Sequence, residues 1–501
     1  MRISKPPVVR PVFPALRSLA LAMTLIAVLL AGCSASRETS GGAPKTLRIL
    51  GDTYGLEVYN AVFSATHENV DIELIDAGEA MRAAIEEARR KEAEDPEAGV
   101  RVDYVQIYRD LLSGPEAPDV VVLFDDLLTS LVDEGLLMPL DGYIERDRFP
   151  LDRLAPGLVE SLRERGKGEL YGLAPRYSSS ALAYNKDHFD AHQLPYPTDD
   201  MTWDELFDLA EALTGDKNGR HVAGFSLGQS FGNLFFFAEL LLKQQGINFF
   251  DEEGRLNPIN TPERRAIYAR LVDLERRGVI AKPQHDWFMQ EVQNQSENGE
   301  APAVISQPAA DGPFSLNDLI NERASMQIVN VSDVDEIVGV LSGRYSFGDQ
   351  SPPSFAWDLV PFPHPADHPD IGGPLFAMQI FAINAVSGAP DLAWDYIRLV
   401  MSEKVAQSMH SADGFSGLKA YSDLNNRPEY QNLNIQAFGM RKPLSWIEGG
   451  TQNIDALSKV YEALNKAMDQ IRHQNVDVDT ALREAEQQAQ ALVQDMQQSM
   501  R

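Results

Sequence analysis

The chain has 501 residues, a hydrophobic content of 44% and a formal net charge of −30 at pH 7. That apolar share is enough to bury a large core, which excludes a disordered chain, and the length calls for two or more lobes. So strong an acidic excess excludes nucleic acid as a partner and excludes lying flat on anionic lipid, because both repel a polyanion.

The first 33 residues have the pattern of an export signal. Arg2, Lys5, Arg10 and Arg17 form a basic segment without an acidic residue, and residues 18–30 (SLALAMTLIAVLL) follow as an uninterrupted apolar run. At about 13 residues that run is short for a bilayer span, which favours a cleaved signal over a permanent helix. It ends in Leu30-Ala31-Gly32-Cys33, and Cys33 is the only cysteine of the chain. The tetrapeptide resembles the lipobox of bacterial lipoproteins: small residues enter a narrow peptidase cleft, and the Cys33 thiol accepts diacylglycerol. Residues 1–32 are thus expected to be a signal peptide and residues 33–45 a lipidated, flexible tether. Cleavage removes four cations and leaves a mature charge of −34. No thiol beyond Cys33 remains for a disulfide or a cysteine metal site.

Residues 46–50 (TLRIL) predict a strand, closed by the turn-forming GDTYG of 51–55. A helical spacing of Tyr59, Val62 and Phe63 leads to a second strand at 70–75. Residues 79–116 contain a highly charged helix, read as a solvated face without chemistry. Residues 119–124 (DVVVLF) predict a buried strand that runs into Asp125-Asp126 and a further helix. Strands separated by helices indicate an α/β protein with largely parallel sheets. Farther on, 171–175 and 180–184 bracket a strand-like crossing, Thr202-Trp-Asp-Glu205 is a capping box that opens a helix through Leu213, and Lys217-Asn-Gly219 is a turn. Pro390 opens a helix with Trp394, Ile397 and Val400 on one face, and a glutamine-rich amphipathic helix runs from Thr480.

In this order, PDVVVLFDDLLTSLVDEGLLMPLDGYI (118–144), ELYGLAPRYSSSALAYNKDHFD (169–190), PTDDMTWDELFDLAEALTGDKNGR (197–220), FAINAVSGAPDLAWDYIRLVMSEKVAQ (381–407) and VDVDTALREAEQQAQAL (476–492) resemble the extracellular solute-binding proteins of ABC importers, a group dominated by sugar binders. The charged insert at 79–116 and residues 308–370 depart from the family pattern. The resemblance implies a two-lobed periplasmic-binding-protein-like α/β fold with hinge-crossing strands and a ligand cleft between the lobes. It divides the chain into 46–175 plus 304–378 for lobe 1 and 176–303 plus 379–501 for lobe 2. It also implies closure on ligand by hinge motion and recognition of the closed form by permease subunits; a monomer without a cofactor is expected.

A sugar needs flat apolar surfaces for its C–H faces and planar polar groups for its hydroxyls. Asp125 and Asp126 stand at the end of the buried strand, where carboxylates can accept hydroxyl bonds. Asp126 lies nine residues before Gly135, matching a ligand-contacting aspartate of some sugar binders, and its alternative role is a water-facing helix cap. Tyr54 could stack on ligand or pack within its lobe. Arg176, Tyr177 and Ser178 face the cleft by analogy, with a structural ion pair as the alternative for Arg176. Gln229, Ser230 and Phe231 follow a short strand, either as contacts or as a plain loop. Gln307 stands where the family often places a contact, although Pro308 interrupts the pattern. Trp446 is the tryptophan expected to stack, whereas Trp203 and Trp394 are expected in the core; Trp287 and Trp357 have no assigned place.

Two other chemistries leave traces. Gly224-Phe-Ser-Leu-Gly228 fits the G-x-S-x-G nucleophile elbow, but only Val222-Ala223 precedes it as strand and no H-G-G-G segment lies upstream. His188/His192 and His364/His368 have H-x-x-x-H spacing. The first pair lacks a zincin glutamate and the second contains Pro365, so neither reads as a zinc helix, and no metal or catalytic residue is expected.

Overall fold

The computed structural model describes residues 45–51, 55–94, 102–217, 219–228, 233–251, 253–282, 317–345, 353–409, 417–444 and 454–499. The expected leader, Cys33 and the expected tether up to Pro44 lie outside these residues. Among the described residues thirteen strands follow in chain order. They are β1 (Lys45–Gly51), β2 (Val70–Asp76), β3 (Val120–Leu123), β4 (Gly172–Leu173), β5 (Arg176–Asn185), β6 (Gly215–Lys217) and β7 (Arg220–Ser226). Then come β8 (Ala324–Asn330), β9 (Trp357–Pro361), β10 (Ile371–Met378), β11 (Ile380–Ile383), β12 (Leu418–Lys419) and β13 (Lys442–Leu444).

The chain divides into two compact units. Unit 1 takes the described residues of Met1–Phe149, Gly168–Pro175 and Gln379–Ser416, and unit 2 takes those of Pro150–Lys167, Arg176–Met378 and Gly417–Arg501. This differs from the division the resemblance implied. Residues 317–378 stand with unit 2, because β8 and β9 both pair with β5, as Ala181↔Val329 and Ala181↔Pro361. Residues after Gln379 begin in unit 1, because β11 pairs with β3 as Ala382↔Val121. The helices after residue 417 belong to unit 2.

Unit 1 is built on one five-stranded sheet in the order β2-β1-β3-β11-β4. Its first three strands are parallel, with Ile49 opposite both Leu74 and Val120, and the helices Leu56–Thr66 and Ala77–Glu94 follow β1 and β2. β11 enters antiparallel to β3 and β4, so the sheet is mixed rather than largely parallel. Val120, Val121 and Leu123 are buried together with Leu47, Ile49 and the residues of β11, as a central strand covered on both faces requires. The Pro390–Val400 helix adds Trp394, fully buried with its indole N–H donating to Asp147 at 2.7 Å, and Tyr396, whose hydroxyl donates to Asn60 at 2.6 Å. An indole or phenol of this size sits comfortably in a core only when its polar atom finds such an acceptor.

Unit 2 has a sheet in the order β13-β10-β5-β8-β7-β6, with β9 and β12 also paired to β5. It too is mixed: β7 runs parallel to β8, whereas β5 is antiparallel to β8, β9, β10 and β12. The Trp203–Leu213 helix opens with the expected capping box, in which Thr202 accepts from the Glu205 amide and Glu205 accepts from the Thr202 amide. This helix packs on β7 at close range, since a Cβ at Gly224 would lie 1.9 Å from the Ala210 carbonyl oxygen. Only glycine allows the two backbones to approach so nearly. Trp203 is buried against Phe237 and Phe362, at ring distances of 5.2 and 5.3 Å, and its indole donates to Gln244 at 2.6 Å.

Candidate ligand site

In unit 1 the buried run of β3 ends abruptly at Phe124, a residue 55% exposed. A 3-10 turn, Asp125–Leu127, follows and turns Asp125 inward while Asp126 faces outward. Neither this turn nor the Leu128–Asp133 helix takes a side-chain cap from Asp126, and the Asp126 carboxylate has no hydrogen-bond partner among the described residues. The helix-cap role is therefore not the one Asp126 performs. Its charge is felt instead by Tyr108, whose hydroxyl donates to the Val122 carbonyl at 3.3 Å. Burial, and then the Asp126 carboxylate, push the Tyr108 phenol up to about 12. An outward carboxylate next to an exposed aromatic ring at the carboxyl end of a central strand can accept hydroxyl hydrogen bonds and cover a C–H face. Phe124 was not singled out from the sequence, where VVVLF reads as one continuous buried strand.

In unit 2, Arg176, Tyr177 and Ser178 open β5. Arg176 is buried, with one guanidinium nitrogen 3.5 Å from the Gly417 carbonyl oxygen. It stands directly opposite Lys419 of β12, and Leu418 stands opposite Tyr177. Lys419 is 8% exposed, and burial followed by the charges of Arg176 and Arg427 lowers its ammonium to about 8. Tyr177 is 4% exposed and burial pushes its phenol up to about 12. Ser178 is half-buried, and the next residue, Ser179, donates to the Phe438 carbonyl at 2.9 Å. Lys419 is a second residue the sequence did not announce, because nothing in its short two-residue strand signals burial.

Tyr54, Gln229, Ser230, Phe231, Gln307, Trp446 and Trp287 lie outside the described residues. Trp357 opens β9 and is half-buried. Trp203 and Trp394 stand in the cores of their units.

The hydrolase motif has a structural account. Ser226 is buried, its hydroxyl donates to Asp318 at 2.7 Å, and it accepts from the Gly228 amide at 3.1 Å. A nucleophile elbow presents its hydroxyl to a histidine and to substrate; here the hydroxyl is bonded to a carboxylate inside the unit. The histidine pairs do not converge. His188 is buried against the Ser325 hydroxyl at 3.0 Å, His192 bonds the His188 carbonyl oxygen at 2.8 Å, and His364 bonds the Pro365 carbonyl oxygen at 2.8 Å. Among the described residues no group of three His, Cys, Asp or Glu side chains is placed to hold a metal ion. Among them, too, no helix is long and apolar enough to cross a membrane.

Comparison with known proteins gives concordant results. A binding protein of Brucella abortus is 25% identical over 292 residues, which cover 54% of this chain and 65% of that protein. The match thus spans less than two thirds of that relative. A sugar transporter from Rhizobium etli, solved in an open conformation, superposes with a TM-score of 0.58 at 21% identity, over 89% of this chain and 99% of that one. The sugar-binding protein MalE of Xanthomonas citri superposes with a TM-score of 0.59 at 16% identity, over 90% and 98%. At such identities the two structures establish the shared fold, that of two-lobed periplasmic binding proteins. The model of the bacterial extracellular solute-binding protein family matches residues 72–407, more than half of the chain, and the chain belongs to that family.

Proposed function

We propose that this chain is the solute receptor of an ABC importer, that its cargo is a neutral carbohydrate, and that it works as a monomer without catalysis, anchored to the outer side of a membrane through lipid on Cys33. The observation that carries the cargo reading is the Asp126 carboxylate, outward-facing and without an internal partner beside the exposed Phe124 ring. The names of the Rhizobium and Xanthomonas proteins as a sugar transporter and a sugar-binding protein support it. The anchor rests on the Leu30-Ala-Gly-Cys33 tetrapeptide after an apolar run. Within this reading Tyr54, Asp125, Asp126, Arg176, Tyr177, Gln229, Phe231, Gln307 and Trp446 are the ligand-contacting set, and Phe124 joins it.

A thermal-shift screen of the mature protein against mono- and oligosaccharides, polyamines and divalent metals tests the proposal. A saccharide-induced rise in melting temperature that persists in high salt is expected, because neutral hydroxyl contacts are not screened. A rise with polyamines that vanishes in salt, and none with saccharides, would replace the carbohydrate by a cationic solute.

A further inference from the structure

Directly opposite residues of paired strands point to one face of a sheet, and the register at the start of β5 gathers five side chains on one face in unit 2. Met378 of β10 and Lys419 of β12 stand opposite Arg176, and Phe376 of β10 stands opposite Ser178. Arg176 and Ser178 are two residues apart on β5 and share that face. Part of it is open: Phe376 is 42% exposed, and Met378 and Ser178 are half-buried. Toward β12 the side chains recede, and Arg176 and Lys419 are buried. The Lys419 backbone is fixed there, its N–H donating to the Asn425 side chain at 2.8 Å and its carbonyl accepting from it at 3.0 Å.

The Lys419 ammonium has neither a hydrogen-bond acceptor nor a paired carboxylate among the described residues. The charges that reach it are those of Arg176 and Arg427, and no acid offsets them. Arg427 has acids of its own, Asp335 at 3.3 Å and Glu429 at 3.7 Å. The chain carries 74 acidic residues against 44 Lys and Arg, so carboxylates are in ample supply, yet none is spent on this lysine. A buried charge is ordinarily paired, because desolvation without a counter-charge is costly. An oxyanion against Lys419 and Arg176 supplies that pairing through charge-assisted hydrogen bonds, and the Ser178 hydroxyl on the same face is a further donor. We infer that this face of unit 2 is an oxyanion-binding site, with Lys419 as its recognition group beside Arg176. Arg176 belongs to the proposed cargo set, so the inference deepens that reading: it adds an anion, free or carried on the cargo, to the contacts unit 2 makes.

The test is a calorimetric titration of the mature protein with sulfate and with glucuronate at pH 7 and constant ionic strength, with glucose as the neutral counterpart of glucuronate. Saturable binding of sulfate in the millimolar range is expected, weakened roughly tenfold in Lys419→Met and retained in Lys419→Arg. A general stabilising effect of sulfate would act on the parent and Lys419→Met alike. Glucuronate bound more tightly than sulfate and glucose would place the anion on the cargo, and sulfate bound at least as tightly as glucuronate would make it a separate ion. Sulfate is titrated without saccharide, and Asp126→Asn should bind it as the parent does; a parent that binds sulfate but no sugar would therefore sink the cargo reading alone. Two results would each overturn the inference: no saturable binding of either anion, or equal sulfate affinity in the parent and Lys419→Met, which would mean an adventitious ion only.

Discussion

Arg176 and Lys419 face each other directly across an antiparallel strand pair, and both side chains are buried. Two cations in register inside a protein of net charge −30 are an unusual expenditure of stability. Like charges directly opposite in a sheet repel, and burial deepens the cost of each. The consequence is visible at Lys419, whose ammonium falls to about 8, through burial first and then through Arg176 and Arg427.

Lowering a lysine below its unfolded value of 10.5 makes stability depend on pH with a definite sign. Between about 8 and 10.5 the unfolded chain holds the proton and the folded chain does not, so stability rises with pH across that window. Below about 8 both states are protonated and the full cost is present. Discounted for solvent screening, that cost is on the order of 1–2 kcal/mol. Urea unfolding at pH 7 and at pH 10.5 should show the parent gaining this amount, and Lys419→Met should already have it at pH 7 with a flatter profile. A parent whose stability falls over this window, with Lys419→Met less stable at pH 7, would contradict the arrangement.

Trp203 provides a control for the core of unit 2. It is buried between Phe237 and Phe362 and bonded to Gln244. Trp203→Ala should lower unfolding free energy by about 3–5 kcal/mol through the cavity it leaves, while solute affinity measured well below the melting temperature is retained. A loss under 1 kcal/mol in chemical denaturation would remove Trp203 from the core.

Ser226 separates a binding protein from a hydrolase. Ser226→Ala should leave the response to an ester probe at the level of the parent. It should also lower stability by about 1–3 kcal/mol, since the buried Asp318 carboxylate loses its hydroxyl donor. Ester turnover that disappears in the variant would establish a catalytic serine.

Cys33→Ser tests the anchor. The unlipidated variant should accumulate as precursor and leave the detergent phase on Triton X-114 partitioning. Normal clipping and detergent partitioning of the variant would refute the lipobox.

Local signals carried much of the fold. The alternation of strand and helix at 46–135, the Thr202–Glu205 capping box and the proline-opened helix at Pro390 are each written in neighbouring residues, and each stands where the sequence places it. The division into units was not legible in the same way. It depends on β11 pairing with β3 and on β8 and β9 pairing with β5, partners 140 or more residues away whose choice leaves no mark in either segment. The parallel reading of the sheets failed for the same reason. At the candidate site, Asp126 was legible as a carboxylate at a strand end. Phe124 was not, because a hydrophobic residue continuing a buried run gives no sign that the strand has left the core. Gly224-Phe-Ser-Leu-Gly228 shows the converse: its first glycine answers a packing need against Ala210 rather than a catalytic one.

The cargo site proposed at the end of β3 is tested most directly by titrating Asp126→Asn and Phe124→Ala by calorimetry with the saccharide found in the screen, alongside their unliganded melts. A carboxylate that accepts sugar hydroxyls contributes on the order of 1.5–3 kcal/mol, so Asp126→Asn should bind roughly tenfold or more weakly, and Phe124→Ala should lose a comparable amount. Both variants should melt within a few degrees of the parent. Unchanged affinity in both, with the melting temperature lowered instead, would contradict the account by showing that these residues serve the fold of unit 1 and not its ligand.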